Sequence, residues 1–81
     1  MRPTLLLRDE HRSCTFHVRE RAGVWEVTRD HVFHGDYLSR APAVRSACSA
    51  ARSFEAAGGR ARVLVAPGDQ QINHQDVTSR S

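Results

Sequence analysis

Two cysteines and five histidines are the residues of this chain that could do covalent or metal chemistry. Cys14 or Cys48 could act as a nucleophile beside a histidine, and His11, His17, His31, His34 and His74 could ligate a metal. Their spacing speaks against both. A zinc site takes three or four ligands, commonly with closely paired cysteines, and no C-x-x-C occurs. His31 and His34 stand three apart, and His17 shares a face with His34 if the strand around His34 is regular, but Cys14 points to the side opposite His17. Cys48 sits among alanines on an apolar helical stripe, where a thiol is structural; a reactive one needs partial exposure and a charged neighbour. Gly58-Gly59 follows a helix, whereas a phosphate cradle precedes one. The expectation is a non-enzyme with no metal and no cofactor. Its histidines are surface groups, with His17 paired to Glu26.

Charge is the next handle on function. The chain has 81 residues and a formal net charge of +3, and all twelve of its basic residues are arginine. Nine acidic residues are interspersed with them, so no concentrated basic block forms. Such a balance permits nucleic-acid binding without favouring it. The residues placed to meet a protein partner or a nucleic acid are His17, Arg19 and Glu26 on a sheet face, and Arg45 and Arg52 on a helix.

Those side chains need a scaffold, and its organising element runs from Ser39 to Gly59. Val44, Ala47, Cys48, Ala51, Phe54 and Ala57 recur at steps of three and four, which places them on one side of a helix. Ser39 is suited to cap its start and Pro42 to its first turn, while Gly58 and Gly59 end it. Most of the stripe is alanine, so the helix can lie close to whatever it covers. A lone helix of this length is marginal in water and must cover something.

Strand-like runs flank it. Cys14, Phe16 and Val18 alternate with Thr15, His17 and Arg19, and Trp25 and Val27 alternate with Glu26 and Thr28. Around a turn at Arg21-Ala22-Gly23, pairing Val18 with Trp25 sets Phe16 opposite Val27 and His17 opposite Glu26, with both faces consistent. After a turn at Asp30-His31, Val32 to Leu38 reads as a third strand with Phe33, Gly35 and Tyr37 inward; His34-Gly35-Asp36 would also suit a loop. Gly35 marks either a bulge or a close approach by the helix. Ala61 to Ala66 reads as a buried strand, Pro67-Gly68-Asp69 as a turn, and Gln70 to His74 as a short edge strand.

The fold class expected is α+β: a single β-β-β-α-β domain over 13–74, one helix on one face of a mainly antiparallel sheet, with room for an extra edge strand at each end. Residues 1–12 form either an edge strand through Leu5–Leu7 or an arm that packs on a neighbouring chain, and 75–81 form a polar tail. With a helix on one face only, the face bearing Thr15, His17, Arg19, Glu26, Thr28 and His34 is either wet or covered by a partner.

The chain resembles a family of short bacterial proteins of unknown function. Its members carry a W-x-V hairpin strand, a third strand, an alanine-rich helix, an apolar strand and a polar turn before an isoleucine. The matching residues are Trp25-Glu26-Val27, the alanines at 43, 47, 50, 51, 56 and 57, Val63-Leu64-Val65, and Gly68-Asp69 ahead of Ile72. The likeness runs from about Phe16 to His74. The turn departs from the family's Asp-Gly order, and its spacing to the isoleucine is longer. The resemblance implies the fold and no activity. The same element order also resembles the N-terminal domain of HicB-type antitoxins, though the Glu-rich helix start of those proteins is missing here.

One domain of this size buries only about 60–65% of its unfolded surface, so a partner would help it. A non-catalytic interaction module is therefore expected, as a homodimer or bound to an unidentified protein partner. Weak arginine-mediated nucleic-acid binding and an antitoxin-like regulatory role are the alternatives. Two cysteines are too few for a disulfide framework, Leu5-Leu6-Leu7 is too short for a signal peptide, and no stretch approaches a membrane span. The location expected is cytoplasmic.

Overall fold

Alternation between apolar and polar residues builds the sheet, and the alanine-rich stripe builds its cover. The computed structural model describes residues 12–74. It contains β1 (Ser13–Arg21), β2 (Val24–Arg29), β3 (Val32–Tyr37), helix α1 (Arg40–Ala56), β4 (Arg60–Val65) and β5 (Gln70–Ile72). The strands form one mixed sheet in the order β3-β2-β1-β4-β5. Neighbours are antiparallel except β1 and β4, which run parallel at the centre. This is an α+β fold with an edge strand beyond β4. The strand or arm expected before residue 12 and the tail after residue 74 lie outside the described residues.

α1 packs chiefly on β4 and β1. Its buried residues are Ala43, Val44, Ala47, Cys48 and Ala51, and they meet Cys14, Phe16, Val18, Val27, Ala61, Val63 and Val65 of the sheet. Short side chains on the helix against valines on the strands let the two layers approach closely, at the density native interiors require. Phe54 packs on this core from the last turn, with the guanidiniums of Arg29 and Arg12 at 5.0 and 5.8 Å from its ring centroid. Gly59 lies directly against the Phe54 ring, and a methyl group there would overlap it. Ser39 has the extended backbone of a cap but makes no side-chain cap hydrogen bond. Ala57 falls outside the stripe: it is the exposed C-terminal cap residue.

Two expectations about register are corrected. Val18 pairs with Val27, Glu20 with Trp25 and His17 with Thr28, a shift of two residues from the pairing the pattern suggested. Such a shift keeps every side chain on its face, so hydrophobic alternation cannot detect it. The turn decides it. Ala22 and Gly23, with φ of 51° and 83°, form a two-residue loop that needs the left-handed region twice, and Arg21 remains in β1. As a result Glu26 lies opposite Arg19 and pairs with Arg21 at 3.7 Å, instead of meeting His17.

The second correction concerns β3. It is a strand, but its pairing with β2 slips between Val27 and Thr28, leaving His34 as the extra residue of a bulge. Gly35 and Tyr37 face the helix as expected, opposite Val27 and Trp25. Phe33 does not: it pairs with Thr28 on the far face and is 59% exposed. His34 is turned to the helix side, where its ring meets Phe16 edge-on at 5.7 Å. The close approach at Gly35 is made by the Tyr37 ring, whose hydroxyl donates to Ser46 Oγ of α1.

Candidate functional site

The alternate residues of the same strands face away from α1. β1 contributes Thr15, His17 and Arg19, β2 contributes Glu26 and Thr28, β3 contributes Phe33 and Asp36, and β4 contributes Arg60, Arg62 and Leu64. Among the described residues no element covers this face. At its centre, the His17 ring stacks on His31 with centroids 5.8 Å apart and planes 23° from parallel. His17, Arg19, Thr28, His31 and Asp69 line a shallow groove of about 350 Å³ beside that stack.

The turn that delivers His31 is unusual in its residues. Asp30 and His31 have φ of 50° and 72°, the double left-handed turn that favours Asn-Gly or Asp-Gly. Asp30 suits its position. Its N–H donates to Thr15 O, extending the ladder, and its Oδ1 accepts from Thr15 N–H, both at 2.9 Å. His31 stands where glycine would be unstrained, at a cost on the order of 1 kcal/mol. Strain of this kind clusters at functional sites, and here it sets an exposed ring on the open face.

The five residues expected at a partner surface are divided between two sides of the molecule. His17, Arg19 and Glu26 share the open sheet face, whereas Arg45 is exposed on the outer side of α1 and Arg52 lies half-buried on its flank. His34 is absent from the open face because of the bulge. Phe33, His31 and Arg62 join it. Arg62 had a signal: Arg60, Arg62 and Leu64 alternate with Ala61, Val63 and Val65. Phe33 had none, since the slip that turns it outward is not written in the hydrophobic pattern.

Both cysteines are free and buried in the core. Burial pushes the Cys14 thiol above its ordinary range, opposed by the nearby Arg29 charge. Burial does the same to Cys48, opposed by Arg52. Each is thereby held in the protonated, poorly nucleophilic form. His74, missed as a structural residue, is buried beside the end of α1, its Nε2 2.8 Å from Glu55 Oε1. Among the described residues, no three His, Cys, Asp or Glu side chains gather as a metal site would require. Nor is any helix long and apolar enough to cross a membrane.

A second uncovered surface is the β3 edge. The large apolar side chains exposed among the described residues all lie on or beside it: Val32 at 67%, Phe33 at 59% and Leu38 at 90%. No family model, curated protein or solved structure matches the chain.

Proposed function

We propose that the protein is a non-catalytic interaction module that associates with a second copy of itself along the β3 edge. The observation that carries this reading is the gathering of Val32, Phe33 and Leu38 on one sheet edge. β3 is six residues long and has no partner on its outer side among the described residues, whereas the opposite edge, β5, has only three residues. An unpaired apolar edge is a template for another strand, and soluble proteins normally blunt or cover one. In an antiparallel, two-fold pairing along β3, the exposed apolar side chains of the two copies come to one seam. The bulge at His34 shortens the backbone ladder and leaves side-chain packing to carry the contact.

The small core supports the same reading, because burial against a second copy adds to what 81 residues can hide alone. The buried free thiols suit a reducing, cytoplasmic compartment. Light scattering on a sizing column at micromolar protein is the test. The wild type is expected as a dimer at low and moderate salt, and the Val32→Glu, Leu38→Glu double variant as a folded monomer with an unchanged circular-dichroism spectrum. A monomeric wild type overturns the proposal.

A further inference from the structure

The open sheet face carries rings and cations together, and of these only Phe33 also belongs to the β3 edge. Phe33 stands outward because of the bulge. His31 stands outward because its backbone is held left-handed, and His17 stacks beneath it. Along β1, Arg19 lies two residues beyond His17. In the other direction Arg62 of β4 is placed opposite Thr15, so the two exposed arginines stand on either side of His17, each about 7 Å along the strand direction by backbone spacing. The face holds Arg19, Arg21, Arg60 and Arg62 against Glu26 and Asp36. Glu26 is already engaged by Arg21, Asp36 lies at the β3 edge, and Asp69 stands at one rim of the groove.

We propose that this face binds single-stranded nucleic acid, with Phe33 and His31 stacking on bases and Arg19 and Arg62 contacting phosphates. Rings lying open on a basic sheet recognise unpaired bases in a sequence-tolerant way, because every base offers a π-face. A duplex hides its bases and could use only the arginines. An acidic peptide could also use only the arginines and would leave the rings without a role. The His31 turn supports the same assignment, since a strained residue persists at a turn where glycine would fit.

Fluorescence anisotropy tests this with the full chain and labelled oligo(U) and oligo(dT) of about 12 nucleotides, beside a duplex of equal length. The single strands are expected to bind at salt near 50 mM and to weaken linearly in log–log form as salt rises. Phe33→Ala is expected to weaken binding by about 5-fold or more. Arg19→Ala and Arg62→Ala should each lower the salt slope by about 0.7. Arg45→Ala, on the helix side, should change neither, and Asp69→Asn should tighten binding. The Val32→Glu, Leu38→Glu variant should still bind, which separates this surface from the edge. Circular dichroism establishes that each variant is folded. Any of three results overturns the proposal: no single-strand binding at low salt, a duplex or poly-glutamate held as tightly as the single strand, or Phe33→Ala binding like the wild type.

Discussion

The two faces of the sheet are made from the same strands by alternate residues, and they are built to opposite rules. The helix-covered face is apolar and finely fitted: valines and Phe16 meet alanines, and Gly59 makes room for Phe54. On the open face rings and guanidiniums stand apart, a carboxylate is tied to its neighbour, and a groove remains. Strain is also unequally shared, since the left-handed His31 serves the open face. Stability is concentrated on one face, and the chemistry available to a partner on the other.

That division is sharpest in core truncation. Phe16 is 1% exposed, and Phe16→Ala is expected to lower unfolding free energy by about 3–5 kcal/mol, through lost transfer energy and a residual cavity. Arg19→Ala on the opposite face should stay within about 0.5 kcal/mol. Urea denaturation of both variants measures the contrast, and equal losses would erase it.

The β2–β3 turn gives a smaller effect with two signs. Asp30→Ala removes an acceptor for Thr15 N–H and a residue tolerant of its conformation, at a cost of about 1–2 kcal/mol. His31→Gly relieves a strained position and should leave stability unchanged or raise it by up to about 1 kcal/mol. A large loss on His31→Gly would mean that its ring is part of the structural framework.

The smallest effect is in pH. Both thiols have folded values raised above their unfolded ones. Their contribution to stability is therefore complete below the ordinary thiol range and declines as pH rises through and beyond it. Cys48→Ala should reduce that alkaline decline, which thermal melts across the range would detect. A decline of unchanged size would place its cause elsewhere.

The sequence shows plainly those features that depend on which face a residue takes. The helix stripe, the inward set of β1 and β2 and the turn at Pro67-Gly68-Asp69 all follow from periodicity and turn chemistry. What periodicity does not encode is a shift of two residues or a single inserted one. The first moved Glu26 from His17 to Arg19 without disturbing either face. The second turned Phe33 out and His34 in, and it changed the open face from a polar surface into one bearing a ring. Gly35 hinted that something happened in β3, but a bare glycine does not say which neighbour is displaced. The stack of His31 on His17 depends on the true hairpin register and on a left-handed histidine, and neither can be read from spacing.

The parallel pairing of β1 with β4 has a consequence for how the molecule assembles. β1 is central, yet among the described residues only its β2 side is paired with nearby chain; its other edge pairs with a strand that lies beyond two hairpins and the helix. Closing so long a loop is slow compared with forming a hairpin. On the ribosome, the first three strands emerge with Phe16 and Val18 uncovered until α1 follows, and the Ser13–Val18 edge stays open until β4 arrives to seal it.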